Sequence, residues 1–281
     1  MAIKLVTDST AYLPEETIRR LDIRVVPLCV HFAHEEFKEG VELSNEEFYK
    51  RLQEAAELPT TSQPSAGAFF EVFKELAGAG HEIVAITISS KLSGTWNSAM
   101  AARDMLPEAG ISIVDSFSTS VGLMHMVEAA GRAIASGATR DEVVAKIEEV
   151  KESTYLLFVV DTLEYLAKGG RIGNAKAFLG TLLKVKPILV LKDGAIEPLE
   201  QVRSKRKAHA RMLELIENHV AGNGSNIQVG LVHALVPDDA QALAHELSTR
   251  LGGVPVSINT LGPVIGTHTG PGVVGVAVSL S

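Results

Sequence analysis

Ile83-Val84-Ala85-Ile86-Thr87-Ile88-Ser89-Ser90-Lys91-Leu92-Ser93-Gly94-Thr95 is the stretch that decides the fold class. Six uncharged, mostly β-branched residues read as a buried strand. They pass directly into a hydroxyl-rich loop, and a helix is expected from Trp96 to Leu106. In open α/β sheets, ligands bind at such turns, beyond the carboxyl ends of the strands. Ser93 is therefore a candidate ligand contact, and Gly94 behind it lets a ligand approach the backbone. Capping of the new helix by Ser93 or Thr95 is the equally simple structural explanation.

The same grammar extends outward on both sides. Ile3–Thr7 reads as a first strand, with a short helix opened by Pro14. Ile23–Phe32 is a second extended run. Ser44 with Glu47 forms a capping box for a helix to about Ala56, and Ser65 can cap a helix over Ala66–Ala79. Beyond the opening stretch come a strand at Ile111–Val114 and helices at Val121–Ala135 and Arg140–Lys151, the second capped by Thr139 with Glu142. This alternation predicts an N-terminal α/β/α domain with a parallel sheet over residues 1–153. From Tyr155 the pattern changes. Strands are expected at Tyr155–Val160, Pro187–Leu191, Ala195–Val202, Ile227–His233, Val254–Thr260 and Val273–Leu280. Helices are expected at Leu163–Ala167, Lys205–Val220 and Asp238–Leu251. Asp193-Gly194 marks a hairpin. Residues 154–281 thus read as a C-terminal α+β domain with a mixed sheet.

Composition narrows the function. The 281 residues are 46% apolar but only 5% aromatic, so the core is mostly aliphatic. A net charge of −8 disfavours general nucleic-acid binding, which needs a basic surface. The single cysteine, Cys29, leaves no disulfide framework and reads as a core residue. No apolar stretch approaches the roughly 20 residues of a membrane span, and the N-terminus lacks a signal-peptide pattern. A soluble cytoplasmic protein is expected. Of nine histidines, only His31 and His34 lie close together, and no carboxylate cluster has ligand spacing, so no metal is expected. There is no P-loop, and Gly222-Asn223-Gly224 lacks the third glycine of a dinucleotide fingerprint, so no nucleotide cofactor is expected.

Two further polar segments join Ser89–Thr95. Pro59-Thr60-Thr61-Ser62-Gln63-Pro64-Ser65 gathers hydroxyls ahead of a helix. Gly266-Thr267-His268-Thr269-Gly270-Pro271-Gly272 places His268 on what reads as a loop of fixed shape, with little side-chain cover. Hydroxyls, free N–H groups at helix starts and an imidazole together suit an anionic head group. Ser93 lies in neither a G-x-S-x-G elbow nor an S-x-x-K motif, so nucleophilic chemistry is not indicated. Two basic features remain: Arg171 in the turn Lys168-Gly169-Gly170-Arg171, and the run Arg203-Ser204-Lys205-Arg206-Lys207. Positive charge at a helix start opposes the helix dipole. The run is therefore either a solvated strand end or a docking patch for an acidic or phosphorylated partner.

These residues, with Thr7-Asp8-Ser9-Thr10, Ser89–Ala99, Leu166–Ile172 and His268–Gly272, resemble the DegV family, whose members include the FakB-type bacterial fatty-acid-binding proteins. The match runs in order along essentially the whole chain. The resemblance implies a non-enzymatic, two-domain protein holding a long-chain fatty acid such as palmitate in a tunnel. The first domain would carry the carboxylate-binding loops, and the second would close over the acyl chain. It implies that Thr61, Ser93 and His268, with Ser62 and Gly94, hold the carboxylate. It also implies a fatty acid kinase partner that makes acyl-phosphate for phospholipid synthesis, with Arg203 and Arg171 at the partner or phosphoryl contact. The alternatives are an esterase or thioesterase using Ser93 and His268, and a lipid-sensing adaptor with no kinase. The segment Val121–Met124 reads as helix–sheet core, with tunnel lining as the other option.

Overall fold

A computed structural model describes residues 2–180, 185–221 and 226–280; the Gly222-Asn223-Gly224 segment lies outside them. The chain opens with β1 (Ile3–Asp8), α1 (Glu15–Leu21) and β2 (Arg24–Val26), followed by β3 (Cys29–Phe32), β4 (Glu35–Lys38), α2 (Asn45–Glu54), β5 (Thr60–Ser62) and α3 (Ala66–Gly78). Next come β6 (Glu82–Thr87), α4 (Thr95–Asp104), β7 (Ile111–Asp115), α5 (Ser120–Ala135) and α6 (Arg140–Ser153). The remainder is β8 (Tyr155–Val159), α7 (Glu164–Lys168), β9 (Lys186–Lys192), β10 (Ala195–Val202), α8 (Lys205–Val220), β11 (Ile227–His233), α9 (Pro237–Arg250), β12 (Val256–Thr260), α10 (Pro263–Thr269) and β13 (Val274–Leu280).

The fold class is the expected one. A parallel sheet in the order β2-β1-β6-β7 occupies the first half. A separate mixed sheet, β10-β9-β8-β13-β11-β12, occupies the second. Its neighbours are antiparallel except β11 and β12. Asp193 and Gly194 both take positive φ, 50° and 80°, as a tight hairpin between twisted strands requires. In β8 the side chains alternate. Leu157 and Val159 pack with Met212, Leu213 and Leu247 of the covering helices, whereas Leu156 and Phe158 face Leu28, Val30 and Tyr49 from the first half of the chain. Helix α5 packs against strands of both sheets. That position explains why every residue from Ser120 to Val127 is buried, and why Val121 and Met124 are core residues.

Three expectations need correction. The extended run Ile23–Phe32 is two strands in two sheets. It breaks around Pro27, which has no N–H to give a ladder; β2 joins the parallel sheet, and β3 pairs with β4 and β5 in a small antiparallel one. The Thr60–Ser62 segment, read as loop, is strand β5. His268 is not on a loop: it lies in α10, which starts with Pro263 at its first turn and ends where Gly270 turns to φ +73°.

Helix α10 is anchored from far along the chain. The buried Glu39 carboxyl accepts the Val264 N–H at 2.7 Å and Tyr12 OH at 3.2 Å on one oxygen, and the Ser9 hydroxyl at 2.5 Å on the other. Burial pushes Glu39 up to about 7, and burial pushes nearby Asp8 up to about 6. A carboxyl raised in the folded state keeps its proton longer than in the unfolded chain. Its contribution is complete below the unfolded value of 4.5 and is lost as pH rises through about 7. Glu39→Gln preserves shape and cannot ionise. Relative to the parent, this variant should gain about 3 kcal/mol between pH 4.5 and pH 7.5. Urea unfolding of both proteins at the two pH values measures this, and an equal difference at both would refute it.

Candidate functional site

The sequence order of the first sheet reverses between β1 and β6. At such a switch point the two strand ends feed loops that part in opposite directions and leave a crevice. Asp8, at the end of β1, spans it by accepting the Ile88 N–H at 2.6 Å. Above these strand ends lies a narrow cavity of about 280 Å³. Ligand pockets are typically roughly 300–1,000 Å³, so its size suits a slender guest. The walls are largely aliphatic, including Leu28, Ile88, Leu166 and Val264. The second sheet supplies the facing wall. Phe158, Gly275 and Val232 lie side by side across β8, β13 and β11, and all three line the cavity. The central glycine makes a groove between two larger neighbours.

The polar residues expected from the sequence meet here. Thr61, Ser62, Ser93, Arg171 and His268 all line this cavity. Strand β5 presents Thr61 beside Val30 of β3, and Thr61 Oγ1 lies 2.8 Å from His268 Nε2, joining segments 207 residues apart. Ser62 Oγ is 2.8 Å from His31 Nε2. Ser93 precedes Gly94, the residue that opens α4 without a side-chain cap. Its hydroxyl is 2.9 Å from Thr95 Oγ1 and accepts only a long 3.4 Å bond from the Thr95 N–H. A β-carbon on Gly94 would lie 2.3 Å from the Gln63 side chain. Glycine there lets Gln63 close over the start of α4, which brings the Thr61–Gln63 and Ser93–Gly94 segments together. Arg203 is not part of this group; it is exposed between β10 and α8.

Electrostatics favour a guest with one negative end. Arg171 donates to the carbonyls of Leu92 at 3.2 Å and Gly169 at 2.9 Å. Neutral acceptors orient the guanidinium and leave its charge uncompensated by them. Contrary to the expectation of little cover, His268 is only 8% exposed. Burial, reinforced by the Arg171 charge, pushes its imidazole down to about 4. It is therefore neutral at pH 7, with one N–H to give. Its Nδ1 has no hydrogen-bond partner among the described residues and faces Gly169, where a β-carbon would lie 2.2 Å away. Gly169→Ala should push the ring off Thr61 without requiring a forbidden backbone angle. We expect about tenfold weaker binding of an anionic ligand, the loss of one hydrogen bond, with a folded protein destabilised by about 1–3 kcal/mol of overpacking. Ligand titration beside thermal unfolding checks it, and unchanged affinity would show that the ring position is immaterial.

Sequence reasoning passed over Gln63, Thr119 and Ser120, which also line the cavity. A local signal existed for the last two: Ser116-Phe117-Ser118-Thr119-Ser120 follows a strand and opens a helix, as Ser89–Thr95 does. Among the described residues, no group of three or more His, Cys, Asp or Glu side chains is placed to hold a metal ion. No described helix is long and apolar enough to cross a membrane.

Comparison with known proteins fits this architecture. A family model described as an uncharacterised protein of the DegV family matches residues 2–280. The chain is 42% identical over 276 residues to a DegV domain-containing protein of Halalkalibacterium halodurans, covering 98% of this chain and 97% of that one. It is 36% identical over 277 residues to protein DegV of Bacillus subtilis, covering 98% of each. Among solved structures, a DegV family protein from Thermus thermophilus described by its fatty acid binding superposes with a TM-score of 0.94 at 36% identity, covering all of both chains. A stearic acid-binding protein from Eubacterium ventriosum gives 0.93 at 28% identity, covering 100% of this chain and 98% of that one. The chain belongs to the DegV family.

Proposed function

We propose that this protein binds one long-chain fatty acid, such as palmitate, non-covalently. Thr61, Ser93 and His268, with Ser62 and the Gly94 backbone, take the carboxylate, and the apolar cavity between the sheets takes the chain. The observation that carries this reading is the meeting of hydroxyls, a neutral imidazole and a guanidinium on one narrow cavity with otherwise aliphatic walls. The fatty-acid-binding relatives named above support it. In this reading residues 1–153 form the head-group domain, residues 154–281 the domain that covers the acyl chain, and the protein works in the cytoplasm without a cofactor.

The finer reading adds a partner. The bound acid is presented to a separate fatty acid kinase for acyl-phosphate formation and phospholipid synthesis, with Arg203 and Arg171 at the contact. One observation supports placing Arg203 there. Lys205, two residues on, lies 3.5 Å from Asp161, and the same carboxylate closes on Gly272, just beyond the His268 helix. The basic run therefore neighbours the head-group end. Retention on an immobilised ATP-dependent fatty acid kinase, lost in Arg203→Ala, is the expected result; equal retention of both proteins would remove the role.

The geometry favours holding over hydrolysis. A serine hydrolase needs the nucleophile hydrogen-bonded to its base and a third group orienting that base. Here Ser93 bonds to Thr95, His268 bonds to Thr61, and Nδ1 faces glycine. Native mass spectrometry of the purified protein should show a fatty acid that denaturation releases intact. An acyl adduct on Ser93, or ester turnover lost in Ser93→Ala, would establish the hydrolase instead.

A further inference from the structure

The cavity has a second polar region that a plain fatty acid leaves unused. After β7 the chain turns through Ser116-Phe117-Ser118-Thr119 into α5. The Ser89 N–H donates to the Ser118 carbonyl at 2.8 Å, fixing this turn beside the Ser89–Gly94 loop. Ser116 is satisfied within the turn, donating to the Ser118 carbonyl and accepting its N–H, both at 3.0 Å. Thr119 and Ser120 are not. They line the cavity at 9% and 3% exposure, and neither hydroxyl has a hydrogen-bond partner among the described residues.

Three features coincide on these two residues. Thr119 is the N-cap of the sixteen-residue α5, a position where a threonine usually takes an N–H of the first turn, yet its side chain caps nothing. Both hydroxyls are buried unpaired, as is Ser118 Oγ in the same turn, but only Thr119 and Ser120 line the cavity. Ser120 sits at φ +52°, in the left-handed region that disfavours residues with a β-carbon. Helix packing alone would be better served by valine and glycine at these positions. Unsatisfied buried hydroxyls at the positive end of a helix, on the wall of a binding cavity, are explained together if the guest brings an oxygen there.

The kind of oxygen follows from charge. Arg171 is the only lysine or arginine among the described residues lining the cavity, and it lies with His268 and the Leu92 carbonyl. An ionised group buried at α5 would have no lysine or arginine among the described lining residues to face, and its desolvation would go uncompensated. A neutral hydroxyl or keto oxygen carries no such penalty and pairs with both side chains. We propose that Thr119 and Ser120 form a subsite for a hydroxyl or keto oxygen carried by the bound acid, in addition to its carboxylate. The protein then selects oxygenated long-chain acids. This rests on the fatty-acid reading above and specifies its ligand.

The test compares stearic acid with positional series of monohydroxy- and oxostearic acids in competition binding. It uses the parent protein, Thr119→Val/Ser120→Gly and Thr119→Ser. Ser120→Gly deletes the hydroxyl and suits the left-handed backbone. The expected result is a preference for one position in the series, measured relative to stearic acid, that falls about tenfold in the double variant. Thr119→Ser, which keeps the hydroxyl, should retain it. If the double variant does not fold, Thr119→Val alone should lower the preference and Thr119→Ser should not. Stearic acid bound by the parent with the same oxygenated-to-plain ratios in every variant would overturn the subsite and leave the fatty-acid reading standing. Failure of the parent to bind stearic acid or any member of the series would overturn both.

Discussion

Gly275→Leu is expected to abolish retention of long-chain acids while the protein stays folded. Gly275 is the second residue of β13, paired with Phe158 on one side and Val232 on the other. A β-carbon there would sit 3.2 Å from Val232 Cγ1 and 3.3 Å from Phe158 Cβ, so these neighbours must yield by only a few tenths of an ångström. The rest of a leucine side chain then fills the groove. Overpacking costs about 1–3 kcal/mol, partly offset because glycine itself weakens a strand. The loss in binding is much larger. A sixteen-carbon acid carries about fourteen methylenes worth ~0.8 kcal/mol each, roughly 11 kcal/mol in gross transfer energy. Excluding half of them removes about 5 kcal/mol, a loss of more than about a thousandfold. Titration with acids of decreasing length checks the mechanism, because short acids should bind parent and variant alike. Full affinity for palmitate in the variant would mean that the chain does not run over β13.

Some of this was legible in the chain and some was not, and the difference is one of range. The parallel sheet follows from local features: Ile83–Ile88 runs straight into a polar turn and a helix, and Thr139 with Glu142 forms the capping box expected of α6. The hairpin at Asp193-Gly194 is equally local. Helix α10 was harder. Gly266 and Gly270 around His268 read as loop, and the N-terminus of α10 is held by Glu39, 225 residues away from Val264. No window of sequence contains that contact. Pro263 at the first turn was the available signal. Three-residue β5 was too short to show a period, and its partner β3 was hidden in a run that Pro27 divides. The pairing of Thr61 with His268 is likewise a tertiary fact, reached in the sequence only through family resemblance. Thr119 and Ser120 are the instructive omission. Their hydroxyl run was visible, but what distinguishes them from the equally unpartnered Ser118 is that they line the cavity.

Thr61→Val combined with Ser93→Ala should remove most of the selectivity for the acid head. Hydrogen bonds to an ionised group contribute about 1.5–3 kcal/mol each. Two lost bonds therefore weaken acid binding by roughly a hundredfold to ten-thousandfold. Little structural damage should accompany this. Valine suits a half-buried strand position such as Thr61, and Ser93 caps α4 only through a 3.4 Å contact. Thr61→Val also takes away the only hydrogen bond to His268 Nε2 among the described residues, so part of the loss will come through the ring. The imidazole is neutral well above its value of about 4. Its titration therefore contributes no pH dependence between pH 6 and pH 8. A long-chain alcohol of the same length is the decisive comparison, since it buries the same hydrocarbon but brings no charge. The parent should prefer acid over alcohol strongly, and the double variant should keep only the smaller preference that Arg171 and His268 supply. If the variant keeps the parent's preference, the carboxylate is held elsewhere, and Arg171 becomes the group to replace next.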